Sequence, residues 1–437
     1  MNLPFRDVMP ALTGALAPFV SADREITVLR DVAGKVRVLI QGLHAVPSAA
    51  LAAQVEAAVR PAIGEWLDLH QPVWIAPKKV QGPTATPNSI DLILNELTRS
   101  RVHIQPGLSL VERHVSKDAW TANAPYDPPW SRDDVIAGGM PPIVTFFSHK
   151  GGVGRTTTAV ATALLAAQAG KRVALLDLDL EAPGLGALMG EDLVPAEGVL
   201  DLLIAPSLEP GPLEQARYIL NDPGLIGEHG GSLAVLTAGT VDDGYLEMLA
   251  RLDLDTGANR EEIKTRLSGL LRLIRDEWSP DLILVDARAG FHDLGGLMLA
   301  SLSHAAVMVL TANPQSLHGL RRVGRLLSSP YRATGEHAVP LVVVHGMAPE
   351  VGSGEAGQLE RDRVRQSTYD ILVDGYYPQD RSPPDPSAIG QPHDLLALPW
   401  QGPLRGRGGQ LDPEIAALLR GEPYQRLYQR VLGLYPR

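Results

Sequence analysis

The chain has no cysteine among its 437 residues. That one absence excludes disulfides, thiolate metal sites, iron–sulfur clusters and thiol nucleophiles together. Aromatic residues are scarce at 5%, and lysine is scarce beside arginine, seven against 32. Basic residues as a whole are outnumbered 39 to 50, for a formal net charge of −11. An acidic chain is not built to wrap nucleic acid through a broad basic face. The deficit is uneven: residues 1–140 carry 13 basic and 14 acidic side chains, residues 141–437 carry 26 and 36. The first twenty residues lack a secretory leader pattern, because Arg6, Asp7, Pro10, Thr13 and Pro18 break the apolar run. Leu294 to Ala312 lacks charge altogether and is about long enough to cross a bilayer. Gly295, Gly296, Ser301, Ser303 and His304 interrupt it, so it reads as a buried helix followed by a buried strand, Ala305–Leu310. No transmembrane segment is expected, and the cytoplasm is the expected compartment.

Glycine and proline, by contrast, are plentiful at 43 and 36 residues. They concentrate in a seam, Ala124–Trp130 with Gly138–Pro142, where proline cannot donate to a ladder. The seam divides the chain into residues 1–122, a linker at 123–141, and residues 142–437. The first segment reads as a small α+β domain: a helix over 10–17, a hairpin of Ile26–Leu29 and Val36–Ile40, a helix from Ser48, a strand Pro72–Ala76 and a helix Ser89–Ser100. Beyond the seam, strands and helices alternate, the mark of a parallel sheet with helices on both faces. Strands are predicted at Ile143–Phe147, Arg172–Asp177, Leu233–Leu236, Leu282–Val285, Ala305–Leu310, Pro340–Val344 and Leu395–Leu398. Helices are predicted at Arg155–Ala169, Glu261–Glu277, Gln315–Leu327, Glu360–Val373 and Pro413–Leu432.

The densest signal follows the first of those strands: Ser148-His149-Lys150-Gly151-Gly152-Val153-Gly154-Arg155-Thr156-Thr157. A strand, a glycine-rich turn and a helix N-terminus in that order direct backbone N–H groups and a helix dipole at one point, which suits polyphosphate. Thr156 is placed to offer its hydroxyl to Mg²⁺. Lys150-Gly-Gly-Val-Gly-Arg-Thr-Thr157 resembles the deviant Walker A motif (KGGxGKT) of the MinD/ParA family of dimeric ATPases. It matches a variant subgroup with arginine in place of the second lysine. The resemblance covers roughly residues 141–437 and implies a P-loop fold, bound ATP with Mg²⁺, and an ATP-dependent homodimer. It implies that Lys150 reaches across the dimer and that Arg155 meets the β- and γ-phosphates. His149 stands where the general pattern has its first glycine.

Two further stretches fit the same resemblance. Asp177 ends a strand and Asp179 follows two residues on, so alternation turns both to one side. By resemblance Asp179 orients the attacking water and Asp177 lies near Mg²⁺. Leu282–Asp286, then Ala-Arg-Ala-Gly290, is similar to Walker B and switch II, which makes Asp286 a ligand of Mg²⁺-bound water and Gly290 the γ-phosphate sensor. Glu181 falls on the expected switch I loop. Arg288 reads as a surface ion-pair partner more readily than as a phosphate ligand. The segments Thr311–Gln315 and Leu398–Trp400 resemble family loops, the latter near the adenine end.

Arg321, Arg322 and Arg325 on one helix read as a solvated face in preference to a DNA contact. Tyr424, Tyr428 and Tyr435 read as part of a packed terminal helix, ahead of a membrane helix or the tyrosine cluster of a bacterial tyrosine kinase. The expected function is an ATP–Mg²⁺-binding switch with slow or impaired hydrolysis, regulating a protein partner through residues 1–122, in the manner of bacterial regulatory or defence components. The alternatives are a non-hydrolysing nucleotide-binding scaffold and a protein-tyrosine kinase.

Overall fold

Apolar runs bounded by glycine, proline and polar residues form strands, and in the computed structural model they assemble into two sheets. The structure describes residues 3–31, 33–42, 49–70, 72–77, 101–112, 117–121, 126–190, 195–205, 207–228, 230–252, 257–330, 338–403 and 411–435. The chain divides into two compact units, Met1–Ala124 and Pro125–Arg437.

In the first unit, β1 (Arg24–Arg30), β2 (Val36–Gly42), β3 (Val73–Pro77), β4 (Arg101–Gln105) and β5 (Leu108–Glu112) lie in the order β3-β2-β1-β5-β4. The predicted hairpin is present: β1 and β2 pair antiparallel, and Asp31 Oδ1 accepts the turn N–H groups of Ala33 and Lys35. Helices Phe5–Leu16 and Ala49–Ile63 contribute Val8, Leu12, Leu16, Val55 and Val59 to a core with Ile26, Val28, Val38 and Ile40. Strands β4 and β5 were not among the predicted elements, although they pair antiparallel across a turn at Pro106-Gly107; β5 also joins β1 in parallel, a distant pairing that local pattern does not reveal. The predicted helix Ser89–Ser100 and the predicted start at Ser48 lie outside the described residues.

The second unit holds β6 (Ile143–Phe147), β7 (Arg172–Leu178), β8 (Arg217–Leu220), β9 (Ser232–Leu236), β10 (Leu282–Ala287), β11 (Ala305–Leu310), β12 (Leu341–Ala348) and β13 (Leu396–Pro399). Their order is β13-β12-β11-β6-β10-β7-β9-β8, parallel throughout except β8 against β9. Every residue of β6, β10 and β11 is buried, as expected of strands covered on both faces. The second unit is a mostly parallel α/β sheet, and the first is a small α+β unit.

The proline-rich stretch does not stand apart as a linker once past Pro125. Trp130 is buried, and its Nε1 donates to the Pro141 carbonyl at 2.9 Å. His304 lies against it, accepting from Ile143 N–H at Nδ1 (3.1 Å) and donating from Nε2 to the Trp130 carbonyl (3.0 Å). Burial pushes this imidazole down to about 4, so it stays neutral. The uncharged stretch is a short helix, Asp293–Leu297, continued by a π turn, Met298–Leu302, and then β11. Among the described residues no helix is long and apolar enough to cross a membrane.

The predicted helix Pro413–Leu432 is two helices, Pro413–Leu419 and Glu422–Leu432. Gly421 caps the second, and Pro423 in its first turn fits a start, not a continuation. Tyr424, Leu427, Tyr428, Val431 and Tyr435 are buried in the main core, each aliphatic side chain contributing roughly 1.5–3 kcal/mol. The Tyr435 hydroxyl donates to the His304 carbonyl at 2.5 Å. These tyrosines are packing residues.

Candidate functional site

Strand β6 ends at Phe147, and the chain turns through Ser148–Gly154 into the helix Arg155–Gln168. Gly152 and Gly154 take φ of 72° and 91°, a region open to glycine without strain. Gly154 caps the helix with no side chain, leaving the first-turn N–H groups facing the hollow of the loop. Val153 is buried, and β12 approaches its carbonyl so closely that a Cβ on Gly346 would lie 2.3 Å from it. His149 fits because Gly319 makes room: a Cβ there would meet the His149 Cβ at 2.1 Å, and the ring packs on Phe291 at 4.5 Å. Gly290 donates its N–H to the Ser148 carbonyl at 3.0 Å, tying the loop after β10 to this turn. Lys150 is exposed, while Gly151 and Thr157 line the cleft.

Sheet order brings the carboxylates together. Strand β10 lies between β6 and β7, and its Asp286 is in register with Asp177. Arg155 is turned onto this cluster: Nε donates to Asp286 Oδ1 at 2.5 Å and Nη2 to Asp179 Oδ2 at 2.9 Å. Thr156 Oγ1 donates to Asp286 Oδ2 at 2.6 Å. The arginine expected on the phosphates is thus 8% exposed and held by two aspartates. Its fork matches carboxylates as well as it would match a phosphate.

Asp177 is held by backbone groups. Its Oδ1 accepts from Asp179 N–H (3.0 Å), and its Oδ2 from Gly184 (3.1 Å) and Leu185 (3.0 Å), so it shapes the following loop. Complete burial, reinforced by the Asp286 charge, pushes its carboxyl up to about 7. Asp179 Oδ1 is buried without a partner.

The two loops flanking the cleft are joined by charge. Glu181 pairs with Arg288, and His292 Nε2 lies 3.1 Å from its other oxygen. Arg288 holds the Glu181 carboxyl below the usual carboxylate range. On the helix Pro314–Leu327, Arg325 pairs with Asp374 at 2.8 Å and Arg321 faces solvent.

Tyr245 and Met347 carried no legible signal, and Ser148 was read only as the first residue of the loop. Tyr245 is buried and donates to the Leu180 carbonyl at 2.5 Å, bracing the loop after Asp179. Ser148 Oγ is buried in the cleft wall without a partner. Met347 sits at φ 54° beside an irregularity between β12 and β13, a strained conformation for a side-chain-bearing residue.

A polyphosphate fits this site. The cleft of about 770 Å³ is lined by the glycine turn, Thr156, Thr157, Met347, Pro399 and Trp400. A divalent metal held directly by Asp177 and Asp286 does not fit this arrangement, whereas the Thr156 hydroxyl, donating its hydrogen to Asp286, keeps oxygen lone pairs of its own. Arg155 and Thr156 take both oxygens of Asp286, and backbone amides take both of Asp177. Among the described residues no group of three or more His, Asp or Glu is arranged to hold a metal ion.

Residues 144–366 match the CobQ/CobB/MinD/ParA nucleotide binding domain family. No curated protein matches the chain. Similar solved structures include a putative plasmid partition protein from Borrelia burgdorferi B31 bound to AMPPNP, 14% identical over 68% of this chain and 98% of that one, TM-score 0.40. A chain of the MinC:MinD cell division protein complex of Aquifex aeolicus is 19% identical over 66% and 96%, TM-score 0.39. The septum site-determining protein MinD of Pyrococcus horikoshii OT3, complexed with Mg-ADP, is 18% identical over 67% and 94%, TM-score 0.40. With a glycine-rich strand–loop–helix at the centre of a parallel sheet and 144–366 matched, the chain belongs to the CobQ/CobB/MinD/ParA nucleotide binding domain family.

Proposed function

We propose that this protein is a nucleotide switch that binds ATP on the Lys150–Thr157 loop, dimerises around it through Lys150, and turns it over slowly. One observation carries the reading: the helix Arg155–Gln168 opens on a glycine turn whose N–H groups converge on a cleft bordered by Asp179. Asp179, with one buried oxygen unpartnered, is the group available to orient a water. Exposed Lys150 is available to a second copy. The donors expected for Mg²⁺ have other partners, so no step is assigned to a metal. Residues 1–122 are proposed to engage a protein partner in the cytoplasm, as a regulatory module.

A second reading, a nucleotide-binding scaffold without turnover, is favoured by the Arg155–Asp179 ion pair, which occupies the aspartate that hydrolysis would use. One experiment separates them: ATP binding, phosphate release and oligomeric state of wild type, Asp179→Ala and Lys150→Ala. The switch reading expects slow release lost in Asp179→Ala and ATP-dependent dimers lost in Lys150→Ala. Binding with no release by the wild type selects the scaffold, and absence of ATP binding overturns both.

A further inference from the structure

We propose that Arg155 is the resident cation of the carboxylate cluster, so that the loop takes up a nucleoside polyphosphate without a divalent metal. This rests on the nucleotide-site reading above and deepens it. A guanidinium presents five N–H donors in one plane, enough to face two partners at once. Here Nε and Nη2 are given to Asp286 and Asp179. Nη1 has no hydrogen-bond partner among the described residues, and Arg155 lines the cleft. One side chain can therefore hold both aspartates along one edge and meet a phosphate oxygen with the other. Those are the tasks that P-loop enzymes divide between a metal ion and a lysine.

The surrounding groups agree with this division of labour. The carboxylate oxygens that would face a metal are engaged: both of Asp286 by Arg155 and Thr156, and both of Asp177 by three backbone N–H groups. A divalent ion placed there would sit against a buried guanidinium, and like charges at contact distance in a poorly hydrated site repel strongly. A lysine in the same place has no planar fork and could not span the two carboxylates and a phosphate together.

The test is the affinity of the full chain for a fluorescent ATP analogue, measured by anisotropy in excess EDTA and in Mg²⁺. The wild type is expected to bind within about threefold equally in the two, and Arg155→Lys to acquire a Mg²⁺ dependence of about tenfold or more. Wild-type binding that weakens about tenfold in EDTA overturns the inference while leaving the nucleotide site standing. A Lys variant that binds equally with and without Mg²⁺ also overturns it. Absence of binding in both conditions overturns the nucleotide reading and this inference with it, a distinct result. Should Arg155→Lys fail to fold, the nucleotide-free wild type still decides: its thermal midpoint is expected not to move with roughly 10 mM Mg²⁺, and a rise would reveal a metal site and refute the proposal.

Discussion

At the scale of single residues, Asp177 has the clearest pH consequence. Its carboxyl titrates near 7 in the fold, because it is fully buried beside Asp286, and near 4 in an unfolded chain. Between those values the folded state holds a proton that the unfolded state has released. Stability from this group is therefore highest at low pH, falls as pH climbs from about 4 to about 7, and is level above, at a slope of up to about 1.4 kcal/mol per pH unit. The difference in unfolding free energy between wild type and Asp177→Asn, followed by urea titration from pH 5 to 8, should fall with that sign. A difference that rises or stays flat would remove the assignment. The identities of the site residues were legible beforehand, because glycine spacing and alternation along a strand are local properties. The bonds of Arg155 were not, since they depend on β10 lying between β6 and β7. The partners of Asp177 were not legible for a related reason: they are backbone groups of Asp179, Gly184 and Leu185, whose turn leaves no pattern in the sequence.

At the scale of elements, the glycine turn keeps its shape because β12 packs onto it without a side chain in between. Gly346→Ala would place a methyl 2.3 Å from the Val153 carbonyl. It should cost roughly 1–3 kcal/mol in stability and weaken nucleotide binding about tenfold or more. Gly211→Ala, which meets nothing within 4 Å, should do neither. Thermal melts and nucleotide titrations of the two variants check this. The long elements were the readable ones. Strands β6 and β11 end where predicted, and the helix at Arg155 departs by one residue. The four-residue β8 and the short helices Leu185–Met189, Val199–Ile204 and Pro210–Ala216 were missed, being too brief for periodicity to register. Their existence depends on tertiary burial, as Leu200, Leu203 and Leu213 in the main core show.

At the scale of the whole molecule, two compact units, each with buried hydrophobic packing of its own, mean two separate stabilities. Leu12→Ala in the first core and Leu164→Ala in the second should each cost about 2–5 kcal/mol. Only the second should also weaken nucleotide binding, because Leu164 belongs to the helix that opens on the glycine turn. Calorimetry with nucleotide titrations separates the two, and equal loss of affinity in both variants would refute the division. Trp400 stands half exposed at the lip of the cleft, the one exposed tryptophan among the described residues, while Trp120, Trp130 and Trp278 are buried. An indole in that position emits at longer wavelength than its enclosed neighbours and is open to collisional quenchers. The protein thus carries its own optical gauge of the cleft: shielding of the red-shifted emission reports a ligand's arrival without a dye.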